Sequence, residues 1–95
     1  MRQITLETRN AFLNSKNFRK QNNYVEVDGN KTFLYLHNNL IAILDNGKLF
    51  IQNCGYFTKT TKERLNSLPG VSIKQKDFNW YLNGVQWDVN LIEIK

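Results

Sequence analysis

Apolar and polar positions follow two different spacings along this chain, and the change between them separates helices from strands. The pattern over residues 5 to about 16 predicts a first helix. Thr5 is the expected N-cap, because its hydroxyl can accept a hydrogen bond from a free backbone amide of the first turn. The apolar face of this helix consists of Leu6, Ala11, Phe12 and Leu13. The polar stretch 14–23 then ends the helix and predicts a loop with a basic bias.

From residue 24 onward the spacing becomes that of strands. Side chains alternate over 24–27 and 32–37, and the nearly continuous apolar run 40–44 is typical of a central strand. Asn46-Gly47 predicts a tight hairpin, because this dipeptide accepts the positive φ angles of a type I′ turn, and 48–51 is the returning strand. These four segments predict an antiparallel meander.

A second helix is predicted from a capping box. Thr60 and Glu63 have the spacing at which hydroxyl and carboxylate satisfy each other's free backbone amides, and Pro69-Gly70 ends the helix. Its inner stripe consists of Leu65 and Leu68. A strand over 71–76 and a hairpin over 80–87 follow.

The predicted order is therefore α-β-β-β-β-α-β-β, with residues 91–94 as an optional last strand. Hairpins interrupted by single helices predict an α+β fold with a mainly antiparallel sheet. The 95 residues are enough for one domain, which we place at 1–95.

The charge of the chain narrows its partners. A formal net charge of +5 favours nucleic acid, an acidic protein face or an anionic membrane, and argues against a mimic of DNA. The alternative is that the positive charge has no binding role and the protein simply happens to be basic. The N-terminal residues 1–7 have no apolar run behind their charge, and no stretch approaches membrane-spanning length. We therefore expect a cytoplasmic protein with no membrane partner.

Few residues are suited to catalysis. Cys54 is the one cysteine and His37 the one histidine, so only these two offer a nucleophile and base of that type. A single cysteine is more often a small buried apolar residue. Asp77 and Asp88 are expected in turns, and neither a metal-ligand spacing nor a phosphate-binding glycine loop is present. We expect a non-enzymatic protein without cofactor or metal; a small hydrolase or nuclease is the weakest alternative.

Basic and aromatic residues concentrate in the second half of the chain. Between 56 and 76, five lysines and arginines stand against one acid, Glu63. Basic side chains pair with phosphates, aromatic rings stack on bases, and Trp, Tyr and Arg also anchor protein interfaces. The alternative is that the aromatic residues are core and the lysines merely solvated. The predicted binding surface consists of Lys59, Lys62, Arg64, Lys74, Lys76, Tyr81 and Trp87.

Five segments of the chain form a recognisable pattern: TTKERLN (60–66), LPGV (68–71), WYLNG (80–84) with Trp87, AFLN (11–14) and LYLHNNLIA (34–42). Together these segments resemble a family of small uncharacterised bacteriophage and prophage proteins. Relatives favour glycine where this chain has Asn38 or Val89, so those turns differ locally.

The resemblance implies a phage accessory protein made inside a bacterial host, and it brings no functional residues with it. Such proteins often bind and inhibit host machines, including restriction and CRISPR nucleases. The expected partner is a host protein or nucleoprotein complex of antiviral defence. The alternative is direct DNA or RNA binding by the same surface. The oligomeric state stays open.

Overall fold

The computed structural model describes residues 2–95, and Met1 lies outside the described residues. It confirms the predicted α+β class, with two helices and mainly antiparallel strands. The elements are α1 (Gln3–Leu13), β1 (Phe18–Lys20), β2 (Asn23–Asp28), β3 (Lys31–Leu36), β4 (Asn39–Asp45), β5 (Lys48–Ile51), α2 (Lys59–Asn66), β6 (Ile73–Lys76), β7 (Asn79–Leu82), β8 (Val85–Gln86) and β9 (Ile92–Ile94).

The strands form two antiparallel sheets. The large sheet has the order β1-β2-β3-β4-β5-β9, so the last strand returns to the predicted meander after the chain has formed α2 and the small sheet. The small sheet has the order β6-β7-β8. Gly70 ends the α2 segment with φ +77°, and a Cβ there would lie 3.1 Å from Ile94 Cγ2. Glycine is therefore favoured at this position, because the positive φ strains other residues and a Cβ would crowd Ile94 of β9.

The core lies on the face of the large sheet that packs against the helices. Val25, Leu34, Ala42 and Ile51 are opposite one another on successive strands, and each is at most 1% exposed. The register shifts between Leu34 and Tyr35, which leaves Ile41 without a partner in the ladder and turns its side chain inward. Phe12 of α1 and Leu65 of α2 complete this core, and each fully buried side chain contributes about 1.5–3 kcal/mol.

Both helices begin before the predicted residues. The N-cap of α1 is Arg2, without a side-chain hydrogen bond, and Thr5 is buried inside the helix. The N-cap of α2 is Thr58, whose Oγ1 accepts from the Thr61 amide at 3.1 Å. The predicted caps Thr5 and Thr60 were therefore wrong. Thr5 Oγ1 instead donates to Glu63 Oε1 at 2.6 Å, because this carboxylate binds tertiary partners rather than closing a capping box.

Other predicted boundaries were also wrong. The polar stretch expected to be a loop contains β1, which pairs with β2 and brings Phe18 opposite Val25. Strand β6 begins at Ile73 rather than at 71, because the Val71 amide donates to the Leu68 carbonyl at 3.3 Å in the turn after α2. In the described part of the chain, neither helix is long and apolar enough to cross a membrane.

Candidate interaction surface

The small sheet divides the predicted surface between its two faces. Lys74 of β6 lies opposite Tyr81 of β7, and Lys76 follows two residues later, so these three side chains share one face. Lys74 and Lys76 are exposed and Tyr81 is half-buried. Together with Gln75 and Gly84 they line a shallow depression of about 470 Å³. This face, with the hairpin tip described below, is called the small-sheet surface.

Lys62 lies on the opposite face of the small sheet. Its Nζ donates to Gln75 Oε1 at 3.0 Å and stands 5.8 Å from the centre of the Trp80 ring. Gln75 and Trp80 are paired across β6 and β7, on the face toward α2. Lys59 is exposed at the start of α2. The predicted lysines therefore do not form one patch: Lys74 and Lys76 lie on one face of the small sheet, and Lys62 lies on the other.

Arg64 was wrongly predicted to be part of the binding surface, since it is only 3% exposed. Its Nε donates to Asn23 Oδ1 at 2.7 Å, and its Nη1 donates to Thr5 Oγ1 and, at 2.7 Å, to Glu63 Oε1. Arg2 contacts the same Glu63 oxygen at 2.8 Å. These five residues, which join α1, α2 and β2, are called the Arg64 node.

The node alters the ionisation of its two central residues. Hydrogen bonds from Arg2 and Thr5 lower the pKa of Glu63 from 4.5 to about 2. Burial, followed by the charge of Arg2, lowers the pKa of Arg64. A buried guanidinium stays charged and needs hydrogen-bond partners for its N–H groups. The Arg64 side chain therefore stabilises the fold and is not available to an external ligand.

Trp87 was also wrongly predicted as an exposed anchor. It is 7% exposed, and its Nε1 donates to the Asn90 carbonyl at 3.0 Å. The centre of its ring lies 6.4 Å from that of Trp80. Phe57 packs against Trp80 in a T-shaped arrangement with the ring centres 5.3 Å apart. Alternation along β7 places Trp80 and Leu82 on the buried side and Tyr81 on the other. It gave no indication of Trp87, which lies beyond the end of β8.

Phe78 is an exposed aromatic that the sequence analysis left out of the surface. It occupies the tip between β6 and β7 with φ 69° and is 91% exposed. The residue before it, Asp77, has φ 51°. The two Asn-Gly hairpins in this chain place glycine at the second tip position, at Gly47 and Gly84. A bulky residue at the second tip position of a tight hairpin was therefore the sequence signal that could have identified Phe78.

The outer face of the large sheet carries a second group of aromatic residues. The rings of Tyr24 and Tyr35 stack with their centres 5.6 Å apart, and the Arg19 guanidinium lies 4.5 Å from the centre of the Tyr24 ring. Tyr24 also donates to Glu26 Oε2 at 2.9 Å, and this hydrogen bond raises the pKa of the tyrosine. Phe33 joins the group 6.5 Å from Tyr35. These side chains are half-buried against one another and have local partners.

The Cys54 thiol is occupied by a backbone contact. Its Sγ donates to the Leu40 carbonyl at 2.7 Å, and partial burial raises the pKa of the thiol. No hydrogen bond joins it to His37 within residues 2–95. A raised thiol pKa disfavours the nucleophilic thiolate, so the geometry gives a Cys54–His37 pair no support. Among residues 2–95, no group of three His, Cys, Asp or Glu side chains lies close enough together to hold a metal ion.

The comparison with protein families reaches almost the whole chain. Residues 1–93 match the family described as Kyanoviridae Gp96 protein. The chain belongs to this phage protein family. Neither the curated proteins nor the solved structures that were compared gave a match. The family match confirms the phage context that the sequence resemblance implied, and it includes both helices and both sheets.

Proposed function

We propose that this member of the Kyanoviridae Gp96 family is a non-enzymatic accessory protein that acts by binding inside the host cell. Its target is a nucleic-acid-handling complex of host antiviral defence, of the restriction or CRISPR type. The phage family supports the context. The observation that carries binding is Phe78, a large aromatic side chain that is 91% exposed at a hairpin tip.

Folding does not account for Phe78. A residue with a Cβ in the left-handed region costs about 1–2 kcal/mol relative to ordinary backbone, and glycine avoids this cost. The ring also gains no burial in return. A phenylalanine that strains the backbone and gains no burial in the free protein is explained by a partner that covers it, as aromatic anchors are covered at the centre of protein interfaces.

The lysines of the small-sheet surface indicate the charge of that partner. Lys74 and Lys76 lie on β6, four and two residues before the exposed ring respectively, and are themselves exposed. They complement an acidic protein face or bound nucleic acid. Strand β6 is also an edge strand, where lysines serve to prevent aggregation. The charges therefore support the proposal, and Phe78 carries it.

Direct nucleic-acid binding is the second candidate. Tyr81 lines the shallow depression together with the two lysines, an arrangement in which a base could stack on the ring while phosphates meet ammonium groups. Binding of this kind weakens steeply with salt, because it releases counterions. Gel-shift titrations with random DNA and RNA at low and high salt test it, and absence of a shift at low salt rejects it.

Capture from host lysate tests the leading proposal. Immobilised wild-type protein, Phe78→Gly and Phe78→Trp are each incubated with nuclease-treated and untreated lysate, and captured proteins are quantified by mass spectrometry. We expect subunits of one defence complex to bind wild type and Phe78→Trp after nuclease treatment, and Phe78→Gly to lose them. The purified complex should then lose activity when wild type is added.

Three results would count against this proposal. Capture that vanishes with nuclease assigns the protein to the direct nucleic-acid alternative. Equal capture by wild type and Phe78→Gly removes Phe78 as the anchor. A captured complex whose activity is unchanged by wild-type protein rejects inhibition.

A further inference from the structure

The outer face of the large sheet is a continuous apolar surface. Strand register places Phe33, Ile43 and Phe50 in one row across β3, β4 and β5, and Tyr35 and Leu40 are the next pair along the first two of these strands. All five side chains are half-buried, and none belongs to the core that both helices and the small sheet form with the opposite face. Adjoining large apolar side chains on an open face are typical of an interface rather than of scattered surface residues.

A row of alternating charges borders this apolar surface. Two positions further along the strands, and therefore on the same face, the register sets four charged residues side by side on β2, β3, β4 and β5: Asp28, Lys31, Asp45 and Lys48. These four residues are called the charged row. None of them forms a salt bridge within residues 2–95. The charged row is therefore available to a partner.

The charge of the whole outer face favours a protein partner over a nucleic acid. The acidic residues on this face are Glu26, Asp28, Asp45 and Glu93, and the basic ones are Arg19, Lys31 and Lys48. Four acids against three bases give no excess of positive charge, although the chain as a whole carries +5. A nucleic acid requires such an excess, whereas a surface with the same mixture of charges does not.

We propose that the outer face binds the same face of a second copy, in a two-fold dimer in which the two large sheets pack together. A two-fold axis parallel to the strands and midway between β3 and β4 sets β2 against β5 of the second copy, and β3 against its β4. Asp28 then faces Lys48 of the second copy. Lys31 faces Asp45 of the second copy in the same way. Packed sheets lie about 10 Å apart, a distance that a lysine and an aspartate span together.

The same axis brings the apolar rows together. Phe33 faces Ile43 of the second copy, and Tyr35 faces Leu40. Burial of these side chains supplies the attraction, and the charged row sets the register. No residue of the small-sheet surface lies on the large sheet, so each protomer keeps that surface open. The dimer is therefore independent of the proposed function.

Analytical ultracentrifugation of the full chain tests the dimer, at protein concentrations from about 1 μM to 1 mM. We expect wild type to change from one chain to two chains per particle as the concentration rises. The double variant Asp28→Lys with Lys31→Asp should weaken the dimer about tenfold or more. In that variant a lysine faces Lys48 of the second copy and an aspartate faces Asp45.

A matched double variant tests the register. Asp28→Lys with Lys48→Asp also exchanges one acid and one base, but opposite charges still meet across the axis, so it should dimerise like wild type. Within its own sheet this variant places two pairs of like charges side by side, whereas the first variant places one. Repulsion inside the chain therefore predicts the opposite order of the two variants.

Controls separate dimerisation from folding and from the hairpin tip. Urea unfolding shows whether each variant is folded, and Phe33→Gln, which should also weaken the dimer, replaces a double variant that is not. Phe78→Gly should dimerise like wild type, so failure of the proposed function and failure of the dimer are distinguishable.

Three results would overturn the dimer. A wild type with one chain per particle at every concentration leaves the outer face to a different partner. Equal dimerisation of wild type and folded Asp28→Lys with Lys31→Asp removes the charged row from the interface. Equal loss in both folded double variants rejects the two-fold register.

Discussion

The Arg64 node and the tip of the β6–β7 hairpin place chemically prominent side chains in opposite situations. Arg64 is 3% exposed and bonded to three side chains from three elements, whereas Phe78 is 91% exposed and held in left-handed backbone. The charged residue is thus part of the fold, and the apolar one is available to a partner. Exposure and partners, more than charge or hydropathy, separate what stabilises this protein from what can bind.

The largest expected effect is at the node. Arg64→Met should lower the free energy of unfolding by about 3 kcal/mol, because Asn23 Oδ1 is buried and Glu63 loses a counter-charge. Urea unfolding measures this. Lys59→Met on the same helix is the control and should change stability by less than about 0.5 kcal/mol, since Lys59 is exposed. Equal stability of the two variants would contradict the node's role.

The node should also make stability depend on pH. The folded-state pKa of Glu63 lies at about 2, below its ordinary 4.5, so its stabilisation is complete above 4.5 and is lost as pH falls toward 2. Because the Glu63 side chain is 28% exposed, solvent screens part of the interaction, and we expect a loss of about 2 kcal/mol across that window from this group, measured by urea unfolding at several pH values. Glu63→Gln should remove this part of the slope. An unchanged slope in the variant would show that other carboxylates cause it.

At the hairpin tip the expected change has the opposite sign. Phe78→Gly should raise the free energy of unfolding by about 0.5–1 kcal/mol, because glycine relieves the positive φ and no buried surface is lost. Thermal unfolding of wild type and variant measures this. Phe78→Trp should stay near wild type. If glycine destabilises the protein instead, the ring makes stabilising contacts and is not free for a partner.

The smallest effect on stability is expected from the lysines beside the tip. Lys74→Gln with Lys76→Gln should change the free energy of unfolding by less than about 0.5 kcal/mol, since both side chains are exposed and unpaired among the described residues. The same double variant should weaken capture of the partner, and more so at low salt. Unchanged capture at low salt would restrict the role of these lysines to protection of the β6 edge.

Local signals predicted most of the fold, and tertiary contacts decided the rest. Asn46-Gly47 and Asn83-Gly84 form turns with positive φ, as expected from residues that tolerate that backbone. The start of α2 was misplaced because Glu63 binds Arg2, Thr5 and Arg64, and that choice depends on how α1 packs. Strand β1 is too short to show alternation and exists through pairing with β2.

The surface was harder to predict than the fold. Lys74, Lys76 and Tyr81 share a face because strand alternation requires it. The burial of Arg64 depends on Asn23 and Thr5, which are more than 40 residues away along the chain, and no local spacing reports this. Trp87 is buried through nearer contacts, with the Trp80 ring seven residues earlier and the Asn90 carbonyl, but it lies beyond the end of β8, where strand alternation no longer applies. Phe78 alone left a local sign, a bulky residue at a tight hairpin tip.

Quantitative capture from nuclease-treated host lysate by wild type, Phe78→Gly and Phe78→Trp tests the central claim most directly. The account predicts that glycine lowers recovery of one host complex roughly tenfold or more, as loss of an interface anchor does, and that tryptophan restores it. It also predicts that the glycine variant is at least as stable as wild type. Equal recovery by wild type and a correctly folded Phe78→Gly would contradict binding through the hairpin tip.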